Sequence, residues 1–339
     1  MKKFYSQRFI VSVALCCIYL IAWAQAPDGY YDGADGKGGS ALKTALSGII
    51  RNHTERSYSN LWTDFEKTDK TSEGFVWDMY SSKKYVFGED QNHGQSSDSY
   101  NREHSFPKSW FNDAKPMYTD LFHLYPTDVQ VNSQRGNYPF GETDNGKKAI
   151  AEARGVLGKS SYPGYSGTVF EPDDEYKGDF ARTYFYMVTC YEQNVSSWKC
   201  DMLNGTSYPA FSTWAMNMLL EWSRKDPVSQ KEIDRNNAVY KIQKNRNPFI
   251  DLKGIEEYIW GNKKDEIYSP TGIFNGIKVS NFSVSAVDGK IRVTTDKENL
   301  VRIYDVVGRL IKQTIVDAGD TEFSLPSGMY IVNGHKVAL

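Results

Sequence analysis

Two short polar blocks hold the side chains of this chain that are best suited to acid-base and metal chemistry. The first block places Glu103 and His104 side by side, and the second, further along the chain, carries Asn132 and Arg135. The chain has five histidines, so a mechanism that depends on histidine has few candidates. An imidazole, with an ordinary pKa of about 6.5, accepts a proton from water near neutral pH. His104 is therefore predicted to be a general base.

These residue types fit the hydrolysis of a phosphodiester. That reaction needs an activated water and a means of neutralising charge on the phosphate and on the departing oxygen. Mg²⁺ neutralises such charge, and it prefers a few hard oxygen ligands together with water and the substrate phosphate. Glu103 and the amide oxygen of Asn132 are the predicted metal ligands.

An arginine close to these residues could hold the phosphate, because a guanidinium makes a two-pronged contact with phosphate oxygens. Arg102 and Arg135 are the candidates within the two blocks, and Arg135 is the predicted catalytic residue. Arg246, later in the chain, is a further candidate. For Arg135 and Arg246 a structural role remains open, because Asp128 or Asp251 could pair with either of them.

A short helix is expected to position the second block. Thr127 or Asp128 can cap this helix, and Gly136 can end it. Side chains three or four residues apart share a helix face, so Asp128, Asn132 and Arg135 should point the same way. A polar helix face of this kind is expected to lie against the segment that carries the first block.

The first block requires an irregular backbone. In a regular strand, Glu103 and His104 would point to opposite faces. Both can reach one phosphate only where the strand ends or bulges. Pro107 shows that regular structure stops soon after, so a strand end or a bulge at this point is part of the prediction.

The bulk properties of the chain indicate a folded protein with more than one core. At 339 residues, 40% of them hydrophobic, one large domain plus a small one is expected. The net charge of -2 lacks the basic excess that usually accompanies phosphate binding. A nuclease with this composition needs a local basic cleft.

The ends of the chain differ in character from its middle. Residues 1–24 are predicted to be a signal peptide, because the apolar run Phe9–Ala22 is shorter than the ~20 residues of a spanning helix and small residues follow it. No integral membrane segment is expected after its cleavage. A nuclease domain is predicted over 27–265, a linker over 266–277 and a small β-sandwich domain over 278–339.

The predicted fold class is α+β, with a largely helical large domain followed by the all-β domain. Apolar periodicity predicts helices in the large domain, the first of them capped by Ser40, while alternation predicts strands in the small one. A β-hairpin is predicted over 74–87. The predicted helices are 40–52, 181–191, 212–224, 231–243 and 252–260, and the predicted strands are 278–286, 290–295, 301–305, 310–316 and 328–333.

Cleavage of the predicted signal peptide removes Cys16 and Cys17, so two cysteines remain in the exported chain. Cys190 and Cys200 could form a disulfide in an oxidising compartment. A helical segment between them could equally hold the sulfur atoms too far apart, and they would then be inert thiols. Both alternatives stay open at this point.

Three ordered blocks, 101–110, 120–141 and 236–251, resemble the endonuclease I family of secreted or periplasmic bacterial nucleases. Supporting matches at 77–81 and 257–260 extend the similarity from about Gly29 to Gly261. Phe122 departs from the family pattern, since a histidine often stands there.

The resemblance implies a ββα-metal, or His-Me finger, core. It also implies hydrolysis of DNA and RNA that depends on Mg²⁺, with Mn²⁺ or Ca²⁺ as substitutes, shows little sequence preference and leaves 5′-phosphate ends. Within it, His104 matches the general base, and Glu103 and Asn132 match the metal ligands.

The last part of the chain resembles a C-terminal sorting domain of the type IX secretion machinery. The motifs are Val301–Arg309 and Leu325–Val332. This resemblance implies that the protein is exported through the periplasm, with the secretion machinery as a partner, and is secreted or held at the cell surface. The alternative is an ordinary β-sandwich that binds carbohydrate or spaces the enzyme.

Two other functions compete with nuclease activity. One is a secreted nucleic-acid-binding or adhesive protein built on an inactive nuclease scaffold, which would bind DNA without cutting it. The other is a nucleotidase-type phosphoesterase, which would release free phosphate from nucleotides and has less need of an extended basic surface.

Overall fold

A computed structural model describes residues 26–94, 96–269, 282–295, 298–306, 308–333 and 335–339. Its secondary structure is mixed α and β, with a separate all-β region at the C-terminal end. The predicted signal peptide and most of the predicted linker lie outside the described residues.

The larger part of the chain combines eight helices with two small antiparallel sheets among the described residues. Strand β1 pairs with β2, which runs directly into helix α3, and β3 pairs with β4. The elements are α1 (Gly39–Ile50), α2 (Leu61–Thr68), β1 (Tyr100–His104), β2 (Leu124–Asp128), α3 (Val129–Arg135), β3 (Val156–Lys159), β4 (Thr168–Glu171), α4 (Lys177–Cys190), α5 (Thr213–Lys225), α6 (Gln230–Gln243), α7 (Pro248–Asp251) and α8 (Ile255–Ile259).

Helix α4 is the centre of the larger hydrophobic core, and it is buried on every side from Gly178 to Cys190. A helix that is enclosed in this way must pair its polar side chains internally. The guanidinium of Arg182 accordingly binds both carboxylate oxygens of Glu232 on α6. Apolar residues at helical spacing on α1, among them Leu42 and Leu46, are fully buried in the same core.

The predicted helices in the second half of this region are confirmed as α4, α5 and α6. The predicted helix 252–260 is confirmed as α8, which begins only at Ile255. Gly254 precedes its first residue with a φ of 77°, in the left-handed region. The predicted cap Ser40 is wrong, since α1 begins at Gly39. Gly38 is the N-cap, and its backbone approaches the carbonyl oxygen of Glu266 so closely that a Cβ would lie 2.3 Å from it.

The predicted hairpin over 74–87 is wrong, because this segment forms isolated bridges and turns in place of paired strands. The carboxylate of Asp78 accepts hydrogen bonds from the backbone N–H of Tyr80, at 2.8 Å, and from the hydroxyl of Ser81, at 2.6 Å. Such side-chain bonds to nearby groups compete with strand pairing and bend the chain. The bend buries Met79 and Tyr80 in the core.

The C-terminal region forms two antiparallel sheets, in the orders β5-β6-β9 and β11-β10-β7-β8, around a second hydrophobic cluster. The prediction of an all-β region is confirmed. Two further strands, β9 and β11, were not predicted, and β9 is a polar segment that buries only Phe323. The strands are β5 (Ser283–Val287), β6 (Lys290–Thr295), β7 (Asn299–Asp305), β8 (Leu310–Val316), β9 (Gly319–Ser324), β10 (Met329–Val332) and β11 (His335–Ala338).

Among the described residues, no helix combines the length and the apolar character that crossing a bilayer requires.

Candidate active site

Helix α3 begins and ends where its sequence predicts. Asp128, the last residue of β2, accepts hydrogen bonds from the backbone N–H groups of Gln130 and Val131, at 2.8 and 2.9 Å. These bonds satisfy two of the free donors of the first helical turn. The helix ends before Gly136, which has a φ of 55°. The cap at Asp128 and the stop at Gly136 are therefore confirmed.

Glu103 is buried against α3, and its carboxylate is held at one oxygen. Oε1 accepts hydrogen bonds from the hydroxyl of Tyr80, at 2.9 Å, and from the guanidinium of Arg135, at 3.0 Å. Burial raises the pKa of Glu103, and the charge of Arg135 and the bond from Tyr80 oppose that rise. Because both side-chain donors bind Oε1, Oε2 is free of them.

The guanidinium of Arg135 is fully buried and contacts the first polar block. Besides Glu103, it donates hydrogen bonds to the carbonyl oxygens of His104, at 3.0 Å, and Ser105, at 2.5 Å. It also lies 3.3 Å from the hydroxyl of Tyr184. Of the two roles that the sequence leaves open for Arg135, contact with a phosphate or pairing with a carboxylate, the structure shows pairing with a carboxylate, and the guanidinium connects α3 to the end of β1.

His104 lies at the end of β1, and its ring is held in one orientation. Its Nε2 is 3.0 Å from the carbonyl oxygen of Tyr118. A carbonyl oxygen only accepts, so Nε2 carries the hydrogen and Nδ1 of the neutral ring is free to accept a proton. Burial, together with the nearby His123, lowers the pKa of His104 to about 3, so the ring is neutral at neutral pH. The rings of Tyr118 and Tyr58 pack beside it, with centroids at 5.0 and 6.2 Å.

Strand β1 pairs with β2 one residue to one through His104, and it ends there. The strand end that the sequence analysis required is therefore present, and no bulge occurs within β1. His104 lies on the same side of the strand as Arg102, and Glu103 points to the side that carries Arg135.

Asn132 lies on α3 one turn before Arg135, so both side chains share a helix face. Arg135 binds Glu103 directly, and this contact brings the Asn132 face of the helix towards Glu103. Within the described part of the chain, the amide of Asn132 makes no side-chain hydrogen bond, and it is half-buried. Its oxygen is therefore available to a ligand.

Other predicted candidates have structural roles. Arg246 binds both carboxylate oxygens of Asp251, at 2.6 and 2.7 Å, which is the alternative considered for it. Cys190 and Cys200 are free, and Cys190 is buried, so the inert-thiol alternative applies.

One further group of potential metal ligands was missed by the sequence analysis. Ligand atoms of His53, Asp120 and Cys190 lie within 4.8 Å of one another. However, Oδ2 of Asp120 already accepts hydrogen bonds from two tyrosine hydroxyls, at 2.8 and 2.6 Å, and Oδ1 lies 3.0 Å from the amide nitrogen of Gln243. Burial also raises the pKa of Cys190, which keeps its thiol protonated. We therefore regard this group as a buried hydrogen-bond network.

Tyr80, Tyr58 and Tyr118 contact the site and were also missed. The signal for Tyr80 was present, because it lies in the 77–81 match. Its position in a predicted hairpin concealed its contact with Glu103. Tyr58 and Tyr118 stand in segments without a motif, so only the folded structure reveals them.

Comparisons with known proteins identify the family of this chain. The sequence model described as Endonuclease I matches residues 38–253. The "Extracellular ribonuclease" of Bacillus subtilis (strain 168) is 40% identical over 241 residues, which cover 69% of this chain and 78% of the relative. The protein of the same name from Bacillus amyloliquefaciens is 40% identical over 239 residues, covering 68% and 78%. A "Periplasmic deoxyribonuclease" of Aeromonas hydrophila is 26% identical over 136 residues, covering 40% and 48%.

These matches define the protein as a nuclease, an enzyme that hydrolyses phosphodiester bonds. More particularly, the chain belongs to the endonuclease I family.

Proposed function

We propose that this protein is a secreted, non-specific endonuclease that cleaves DNA and RNA with one Mg²⁺ and leaves 5′-phosphate ends. The observation that carries the proposal is the unit β1–β2–α3, in which Arg135 joins the helix of Asn132 to Glu103. We regard this unit as a ββα-metal core. The names of the relatives support both substrates, since one is called a ribonuclease and another a deoxyribonuclease.

The donor set fits a hard divalent cation. Oε2 of Glu103 and the amide oxygen of Asn132 are both oxygen ligands, and neither is taken by a side-chain donor in the described residues. Mg²⁺ prefers such oxygens, and Mn²⁺ or Ca²⁺ can substitute. When bound, the cation would neutralise charge on the phosphate and on the departing oxygen.

His104 takes a proton from the attacking water at Nδ1. The carbonyl of Tyr118 keeps the other ring nitrogen protonated and the ring correctly turned. Arg135 acts as a positioning residue, because it holds Glu103 and the end of β1 without reaching the surface.

The same proposal covers the rest of the chain. Residues 1–24 act as a cleaved signal peptide, 27–265 as the nuclease domain and 266–277 as a linker. Residues 278–339 act as a type IX sorting domain that delivers the enzyme through the periplasm to the cell surface or the medium. The names "Extracellular" and "Periplasmic" of the relatives support export, and the separate hydrophobic cluster of the C-terminal strands supports a separate domain.

Metal removal is expected to abolish cleavage of supercoiled plasmid and of RNA, and added Mg²⁺ is expected to restore it. Glu103→Gln should require at least ~10-fold more Mg²⁺ for half-maximal rate, because it replaces a charged ligand by a neutral one. Glu66→Gln is the matched control, since Glu66 is exposed and forms only a surface ion pair with Lys70.

Two results would contradict this proposal. Binding of plasmid without cleavage at any Mg²⁺ concentration would indicate a nucleic-acid-binding or adhesive protein. Release of free phosphate from nucleotides without cuts inside polymers would indicate a nucleotidase. Gel electrophoresis and a phosphate assay distinguish these outcomes.

Removal of the α3 cap is expected to impair cleavage as well as stability. Asp128→Ala should lower the free energy of unfolding by ~1–2 kcal/mol. It should also slow plasmid cleavage, because α3 carries Asn132 and Arg135. Ser229→Ala is the matched control, since Ser229 caps α6 through a capping box. If Asp128→Ala and Ser229→Ala have similar unfolding midpoints and also equal cleavage rates, a role for α3 in the site is contradicted.

A further inference from the structure

Arg102 lies between two aromatic rings at the edge of the candidate active site. Its guanidinium carbon is 3.6 Å from the ring centroid of Tyr58 and 4.3 Å from that of Trp62. One of its N–H groups donates to the carbonyl oxygen of Tyr58, at 2.9 Å. A guanidinium held between two rings in this way keeps a fixed plane.

Arg102 and His104 are close neighbours on strand β1. The two residues are two apart on β1, so their side chains lie on the same face of the strand. Tyr58 contacts both of them, since its ring also stacks beside His104 with an interplanar angle of 18°. Arg102 is therefore next to the predicted general base.

Arg102 has no counter-charge among the residues that the structure describes. Within the described part of the chain no carboxylate pairs with it, and its Nε–H is buried without an acceptor. Four other cations near Arg102 in the sequence or on α3 are paired with carboxylates: Lys108 with Asp113, Lys115 with Glu55, Arg56 with Asp64, and Arg135 with Glu103.

We propose that Arg102 binds a backbone phosphate of the nucleic-acid substrate, with Tyr58 and Trp62 holding its guanidinium in place. This inference rests on the proposed function, and it gives the role predicted for Arg135 to a different arginine. It also explains how a chain with a net charge of -2 can hold a polyanion, because an unpaired cation stands directly beside the reaction centre.

The test measures binding without cleavage. The full-length protein in EDTA is titrated against a fluorescein-labelled DNA duplex by anisotropy at several salt concentrations. Arg102→Gln is expected to bind at least ~10-fold more weakly, because a charge-assisted contact is lost. The slope of log affinity against log salt should fall by about 0.9, the contribution of one duplex phosphate. Arg102→Lys should keep that slope while losing part of the affinity, since it keeps the charge but not the planar fork.

Lys115→Gln is the matched control, because Lys115 is exposed and already paired with Glu55. It should bind with the affinity and slope of the wild type. Thermal unfolding of each variant identifies any loss of folded protein. Weaker binding by Arg102→Gln with an unchanged salt slope would show a structural role and overturn the proposal.

Other outcomes separate this proposal from the proposed function. In one outcome, the wild type binds the duplex and cuts it when Mg²⁺ is added, and Arg102→Gln has the same affinity and salt slope as the wild type. Only the assignment of Arg102 then fails. If the wild type neither binds nor cuts nucleic acid, the proposed function fails, and the assignment of Arg102 fails with it.

Discussion

Replacement of His104 by alanine is expected to reduce the cleavage of supercoiled plasmid and of RNA by at least ~100-fold, the lower range of general acid-base contributions. The physical reason is the loss of Nδ1, which the bond from Nε2 to the Tyr118 carbonyl leaves free to accept a proton. Initial rates at saturating Mg²⁺ measure the effect on both substrates.

The control for this variant is His93→Ala, because His93 is exposed and lies outside the site. Its rates should equal those of the wild type. Binding of the DNA duplex in EDTA should survive in His104→Ala, since the variant removes a proton acceptor and leaves Arg102 in place. An unchanged cleavage rate for a folded His104→Ala protein would end the assignment of His104 as the base.

Replacement of Arg135 by methionine is expected to lower the free energy of unfolding by ~3–5 kcal/mol. The substitution leaves the buried carboxylate of Glu103 without its counter-charge. It also removes the donors bound to the carbonyl oxygens of His104 and Ser105. Urea titration followed by tryptophan fluorescence measures the change.

A second substitution separates this role from contact with a phosphate. If the cost arises from an unpaired buried charge, Arg135→Met combined with Glu103→Gln should be more stable than Arg135→Met alone. Arg224→Met is the control, because its ion pair with Glu257 is largely exposed on the arginine side and should contribute ~1 kcal/mol or less. A fully stable Arg135→Met protein that had lost only cleavage would instead support a direct contact with substrate.

Several elements were predictable from local signals in the sequence. Asp128 and Gly136 define helix α3 because a cap and a stop act within one turn. The helices α4, α5 and α6 follow from apolar residues at helical spacing, since each must bury one face or more. In the C-terminal region, the alternation of apolar and polar residues predicted strands, because each strand must bury one face.

Contacts between residues that lie far apart in the sequence were not predictable. The segment around Asp78 reads as a hairpin, but the carboxylate of Asp78 binds its own turn and also the backbone N–H of Asp128, 50 residues away. The sequence leaves a phosphate and a carboxylate open as partners of Arg135, and its guanidinium binds Glu103, 32 residues away. The contacts of Asp78 with Asp128 and of Arg135 with Glu103 have no local signal, because they depend on which segments meet in the core.

The amino-acid sequence by itself determined the chemistry that this protein can carry: an imidazole beside a carboxylate, an asparagine and an arginine on one helix face, and strands and helices of suitable pattern. The tertiary structure alone decided which cation pairs with a carboxylate. Arg135 packs inside against Glu103, while Arg102 lies beside Tyr58 and Trp62 and pairs with no carboxylate among the described residues. The reason is that the cost of burying a charge depends on the partners that folding brings to it, and those partners come from distant parts of the chain.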